Sequence, residues 1–159
     1  MTREDVGIPN ALDLRAPVSS IMTRNVMTVE PKDPLSKVKD LFETHRFHHI
    51  PVINEKVLLG MISKSDFLHF IRGMHQSSYD KLLENVRLER YHAEDIMTRA
   101  LAKLEENDRI NVAIEVFREN LFHALPVVRD GELVGLLTTF DIIKLLSDED
   151  NLRIAALRK

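Results

Sequence analysis

Two short segments carry residue types suited to holding a phosphorylated small molecule. Gly60-Met61-Ile62-Ser63-Lys64-Ser65-Asp66 and Gly135-Leu136-Leu137-Thr138-Thr139-Phe140-Asp141 each run glycine, two apolar residues, a hydroxyl, two spacers and a carboxylate. A hydroxyl beside the free backbone amides of a helix N-terminus makes a seat for phosphate. The aspartate one turn on has the lone pairs to accept both hydrogen bonds of a vicinal diol, such as the ribose 2′- and 3′-hydroxyls. Hydrogen bonds to a charged group contribute roughly 1.5–3 kcal/mol each, so losing the carboxylate should weaken a ribonucleoside by about 100-fold or more. The glycine is expected to leave room for a planar ring beside the strand. The same hydroxyl-to-carboxylate spacing also forms a plain helix capping box. Its recurrence behind the same glycine in both segments favours the ligand seat.

The elements that must position these residues are themselves repeated. Ile21-Met22-Thr23-Arg24 returns 75 residues on as Ile96-Met97-Thr98-Arg99, Asp33 as Asp108, Phe47-His48 as Phe122-His123, and Pro51-Val52 as Pro126-Val127. One offset held over about 50 residues means two copies of a structural unit. In copy one, Asp33-Pro34 reads as a helix cap followed by proline, and Leu35, Val38, Leu41 and Phe42 follow at helical spacing. Copy two matches with Asp108, then Ile110, Ala113, Val116 and Phe117. Two extended runs come next in each copy, with Asp130-Gly131 as a strong hairpin turn. A closing helix starts at Asp66 and at Asp141. With a short strand expected near Val26-Met27 and Leu101-Ala102, each copy reads β-α-β-β-α. The fold class is therefore α+β, two β-α-β-β-α repeats packed on each other as one pseudo-symmetric domain.

The boundaries follow: a lead-in at 1–17, with one helical turn from Ala11 to Arg15; copy one at 18–72; a linker at 73–92; copy two at 93–147; and a tail at 148–159 that extends the last helix. Ser78 is placed to cap a linker helix carrying Tyr79, Leu82, Leu83 and Val86, and Arg87 to Asp95 reads as a charged connection. Apolar content of 44% and charged content of 30% suit a globular domain. A net charge of −3 shows no basic field, so nucleic acid is not the expected partner. The absence of cysteine excludes a disulfide framework and thiolate chemistry. The sequence offers no signal peptide and no long apolar run, so a cytoplasmic protein without a membrane segment is expected.

These motifs resemble those of the cystathionine-β-synthase (CBS) domains, which occur as tandem pairs and form adenosine-ligand-binding Bateman modules. The resemblance runs from about Val18 to Leu146 and rests on the repeated IMTR openings, the I/L-P-V segments and the closing motifs. It implies that the two copies pair through their sheets with pseudo-two-fold symmetry, leaving two clefts. Each cleft takes its hydroxyl and aspartate from one copy and its adenine-contacting strand from the other. One would use Ser63 and Asp66 with Arg99, Leu101 and Ala102. The other would use Thr138 and Asp141 with Met22, Thr23, Asn25, Val26 and Met27. The bulkier Met27, against Ala102, suggests that the two differ in affinity.

The resemblance also implies phosphate contacts. In the nucleotide-sensing γ subunit of AMP-activated protein kinase, built from CBS domains, a His-Arg pair at this place contacts phosphate. His48 and His123 match that histidine, and His49 takes the place of the arginine, with Ala124 its counterpart in copy two. The alternative is that these residues merely edge the sheet. A histidine bonded to phosphate would have a raised pKa. Arg24, Arg99 and Lys64 are further phosphate candidates, set against structural or exposed roles. His45 and His48 also invite a metal reading if they share a helical face, but no carboxylate is spaced to complete the set.

No catalytic motif stands out, so the expectation is a non-enzymatic regulatory module. It requires no cofactor and takes AMP first, then ADP or ATP, or S-adenosylmethionine, as its regulatory ligand. It would act in trans on a separate protein target. The resemblance further implies a homodimer through the closing helices, whose apolar faces carry Phe67, Phe70, Ile71, Ile142, Leu145 and Leu146. An interaction scaffold with no ligand response is the alternative from another class, and a metal-responsive protein a weaker one.

Overall fold

A computed structural model describes residues 13–74, 83–119 and 121–157. Copy one comprises helix α1 (Leu35–Thr44), strands β1 (His49–Asn54) and β2 (Val57–Ser63), and helix α2 (Lys64–Met74). Two short helices follow, α3 (Glu84–Arg90) and α4 (Ala93–Ile96). Copy two comprises β3 (Leu104–Glu105), α5 (Ile110–Arg118), β4 (Ala124–Arg129), β5 (Glu132–Thr138) and α6 (Thr139–Leu157). The fold is mixed α+β, and its two halves follow the 75-residue offset closely.

The hairpins show this most plainly. Both β1–β2 and β4–β5 are antiparallel, and each carries an irregularity at the same place, between Val52 and Ile53 and between Val127 and Val128. Asp130 and Gly131 hold φ of 52° and 82°, the left-handed pair that a tight hairpin turn demands. The hairpins meet edge to edge where Val57 faces Glu132, giving one sheet in the order β1-β2-β5-β4-β3.

Each copy completes its neighbour's core. Val18 and Met22, from the start of copy one, pack with Leu104, Ile110, Leu125, Val127 and Leu137 of copy two. Ala93 and Met97, from the start of copy two, pack with Val29, Leu35, Val38, Phe42 and Ile62 of copy one. Backbone pairing follows the same exchange, with Pro17 bridging to Arg109 and His92 to Pro34. Burying the opening of one copy in the core of the other ties the two together through the hydrophobic effect.

Several local expectations shift. The first strand of each copy lies later than Val26-Met27 and Leu101-Ala102: Val29 pairs in parallel with Val52, and Leu104–Glu105 with Val127 and Val128. Asp33 and Asp108 precede the helix caps, which are Pro34 and Arg109. Their carboxylates instead accept the backbone N–H of Glu30 at 2.7 Å and of Glu105 at 2.8 Å, closing the turn that leads into each helix. The connection from Arg87 to Asp95 is largely helical and buries Leu88 and Ala93. A turn, not a helix, occupies Leu14 and Arg15. The expected cap at Ser78, with Tyr79 and Leu82, lies outside the described residues, as do residues 1–12.

A cleft assembled from both copies

The floor of the cleft beside Asp66 is a bridge between copies. Met61 N–H donates to the Thr98 carbonyl at 3.0 Å, and Thr98 N–H donates back to Met61 at 2.9 Å. The equivalent bridge joins Thr23 and Leu136 through two bonds of 2.9 Å. Both glycines of the closing motifs lie under these bridges. A β-carbon on Gly60 would stand 2.7 Å from the Met97 sulfur and 2.8 Å from the Thr98 oxygen; on Gly135 it would stand 2.9 Å from the Thr23 oxygen. The space that the sequence suggested for a planar ring is thus filled by the other copy's Met-Thr segment.

The hydroxyl and carboxylate of each motif are joined. Ser63 Oγ donates to Asp66 Oδ2 at 2.5 Å and accepts the Asp66 N–H at 3.1 Å. Thr138 donates its N–H and its hydroxyl to Asp141 Oδ2, both at 2.7 Å. The helices start immediately after Ser63 and Thr138, so the capping geometry is formed in both copies. A carboxylate offers about four acceptor positions, so a capping aspartate retains capacity for a ligand.

The Asp66 cleft has a volume of about 320 Å³ and is lined from both copies. Ser63, Ser65 and Asp66 face Thr98, Leu101 and Ala102, with Met61 at the base. His49 lines the same cleft because the hairpin register sets it opposite Ser63. His123 reaches it from copy two, together with Leu121, Phe122 and Ala124. Burial, and then repulsion from His48 and His123, holds the His49 imidazole below its ordinary pKa, against a smaller pull upward from Asp66.

Other expected residues go elsewhere. Arg99 is exposed and does not line this cleft. Lys64 turns its ammonium to the Phe42 carbonyl at 3.3 Å and lines a separate groove with Lys39, Phe67 and Glu84. Arg24 donates to the Ser19 carbonyl at 2.8 Å. Met22, Thr23 and Asp141 line a second groove of about 350 Å³, with Ser20, Ile21, Lys144, Leu145 and Asp148. Asn25, Val26, Met27 and Thr138 do not line that groove; Val26 packs with Met61, Ala124 and Leu136, while Asn25 and Met27 are exposed. His48 is exposed next to His49.

The metal reading loses its geometric premise. Helix α1 ends at Thr44, and His45 is extended with its ring stacked on Phe47 at 5.2 Å, so His45 and His48 share no helical face. Among the described residues, no group of three or more His, Cys, Asp or Glu side chains is placed to hold a metal ion. No described helix is long and apolar enough to cross a membrane. Thr98 and Ser65 are cleft residues that the sequence reading passed over. The repeat offset pointed to Thr98 as the counterpart of Thr23, and Ser65 stands inside the closing motif itself.

Paired α+β copies that exchange their openings and share a cleft define a tandem-repeat module. A family model described as the CBS domain matches residues 18–73 and again residues 93–148. The chain belongs to the CBS domain family, as a pair of domains. It is 31% identical over 125 residues to inosine-5′-monophosphate dehydrogenase of Thermoplasma acidophilum, covering 78% of this chain and 22% of that protein. It is 27% identical over 152 residues to MJ1225, an uncharacterized protein of Methanocaldococcus jannaschii, covering 91% and 52%. The chain therefore spans between about a fifth and a half of the length of these relatives. Among solved structures, a CBS domain-containing protein of unknown function from Bacillus anthracis superposes with a TM-score of 0.70 at 26% identity, over 83% of this chain and 93% of that one. CBSX2 in complex with AMP superposes with a TM-score of 0.68 at 24% identity, over 84% and 97%, a likeness of fold.

Proposed function

We propose that the chain is a regulatory module that holds an adenosine-bearing ligand in the Asp66 cleft and signals its presence to a protein partner. The observation that carries this reading is the meeting of Ser63 and Asp66, from one copy, with Thr98, Leu101 and Ala102, from the other. The carboxylate suits a ribose diol, the apolar residues and strand backbone suit a purine, and the adjacent histidines suit phosphate. AMP ranks first, followed by ADP and ATP, because the imidazoles are few and close to the seat. A fold neighbour carries AMP, which supports the ligand class by analogy only.

A ligand that touches both copies is positioned to bias how they sit together. Signalling requires that it prefer one arrangement, since only differential affinity shifts populations, and a few kcal/mol suffice. The proposed response is non-catalytic and is delivered in trans. A homodimer through the closing helices accompanies this reading. Phe140, Ile143 and Leu146 support it, being exposed at 68%, 57% and 47% and lying near one face of α6. Phe67 is in the core of copy one, and Phe70, Ile71, Ile142 and Leu145 pack against the two cores, so of the apolar residues expected to pair only Leu146 faces outward.

The test is a thermal-shift titration with AMP, ADP, ATP, S-adenosylmethionine, NADH and cyclic di-AMP, on the wild type, Asp66→Ala and Asp141→Ala. Ligand at about 100 times its dissociation constant adds roughly 2.7 kcal/mol, several degrees for a chain of this size. A shift with a nucleotide that Asp66→Ala abolishes is expected. No shift with any ligand overturns the reading in favour of a scaffold.

A further inference from the structure

We propose that capture of a nucleoside phosphate in the Asp66 cleft takes up a proton on the histidine cluster formed by His49 and His123, so that the module reports acidity together with nucleotide. The inference rests on the Asp66 cleft being the nucleotide site.

The geometry supplies the cluster. Strand β1 contributes His49, opposite Ser63, with His48 immediately before it. The segment leading into β4 contributes His123 from the other copy. The N-terminus of α2 contributes Asp66, the carboxylate of the cleft lining. The connection after α4 contributes Thr98, Leu101 and Ala102, none of them ionisable. Lys64 is turned to Phe42, and Arg99 does not line the cleft. Among the described lining residues, cationic charge can therefore come only from His49 and His123.

Burial, and then the nearness of His48 and His123, disfavours charge on His49. At neutral pH the empty cleft therefore holds His49 mostly neutral. A phosphate dianion placed between His49 and His123 reverses the balance, because it favours imidazolium. The bound state then keeps a proton that the free state has released. Between the free and bound pKa values, the association constant falls by up to about tenfold per pH unit for each proton taken up. Phosphate monoesters have a second pKa of about 6, so at pH 7 and above the ligand is already mostly dianionic and contributes little to the slope.

The experiment is isothermal titration calorimetry of the full chain with AMP at pH 7.0 and 8.0, in buffers of different ionisation enthalpy, with adenosine as the phosphate-free control. The expected result is a binding enthalpy that varies with the buffer, reporting net proton uptake. The AMP dissociation constant should rise by about three- to tenfold from pH 7.0 to 8.0, while adenosine shows no such change. His123→Gln, at an exposed position, should lower AMP affinity at pH 7.0 and reduce the proton uptake. His49→Gln should do the same and is the second readout if the first variant is perturbed. AMP binding with a buffer-independent enthalpy and a flat pH profile overturns the proton coupling and leaves the nucleotide site standing. No binding of AMP at either pH overturns the nucleotide site and the coupling with it.

Discussion

The sulfur of Met97 lies over the α-carbon of Gly60, where a β-carbon would stand 2.7 Å from it. Such a β-carbon would also lie 2.8 Å from the Thr98 carbonyl oxygen. The methionine can swing aside, but the carbonyl belongs to the bridge that joins the copies. Gly60→Ala therefore has to push the two copies apart. The expected cost is about 1–3 kcal/mol, typical of an overpacked contact, read as a lower urea midpoint. An unchanged midpoint would show that the bridge yields freely and does not fix the cleft floor.

The bonded pair at each closing motif makes a second prediction. Asp141 accepts both the N–H and the hydroxyl of Thr138, so it supports α6 without any ligand. Asp141→Ala should cost about 0.5–2 kcal/mol in the absence of nucleotide, as loss of a capping residue does. Urea unfolding of the ligand-free protein checks this. A neutral substitution would mean that the carboxylate is held for binding alone. Since Asp66→Ala also removes a capping partner, its ligand-induced shift is to be compared with its own ligand-free baseline.

Much of this was legible in the chain. The 75-residue offset predicted two like copies with a hairpin in each, and the Asp130-Gly131 dipeptide marked one turn. That Ser63 and Asp66 of one copy would meet Leu101 and Ala102 of the other came from the resemblance to the CBS domains, and these four residues do line one cleft. The first strands were misplaced because they amount to a two-residue strand in one copy and a single bridge in the other, too short for an alternating pattern. The exchange of openings was invisible for a different reason. Val18 and Met22 are simply apolar, and periodicity reports which face is buried, not which copy's core receives it. Leu88 and Ala93 are buried but stand among charged neighbours in the sequence, which hid them. Lys64 shows the same limit: its position in the motif suggested a phosphate contact, yet its side chain turns to the Phe42 carbonyl and lines a separate groove.

Asp33 gives the acid limb of the stability profile a specific origin. Burial pushes its carboxyl up, but the Lys37 ammonium at 2.7 Å and the Glu30 N–H at 2.7 Å outweigh burial and hold it below the ordinary range. The native state thus releases this proton more readily than the unfolded chain, whose aspartate titrates near pH 3.9. The stabilisation is complete above the unfolded value and is lost as pH falls through the lower native one. Asp33→Asn should lower stability at pH 7 and flatten its decline below about pH 4. Urea midpoints collected from pH 7 to pH 3 test it; parallel curves for the two proteins would remove Asp33 from the account.

The outer face of α6 carries the last prediction. Phe140 is 68% exposed and Ile143 57%, while their neighbours Ile142 and Leu145 pack inward against the core of copy two. Exposed apolar side chains three residues apart on a helix lie close enough to form a stripe, and burying such a stripe supplies a driving force for association. In the proposed homodimer that stripe meets its symmetry mate, so a charge placed there would face its own copy across the interface. Phe140→Asp and Ile143→Lys, made separately, should each shift the mass measured by light scattering from dimer toward monomer. Neither should lower the unfolding midpoint of the isolated chain, because both positions point away from its core. A wild type that is monomeric at tens of micromolar, or variants that remain dimeric, would move the interface off this helix.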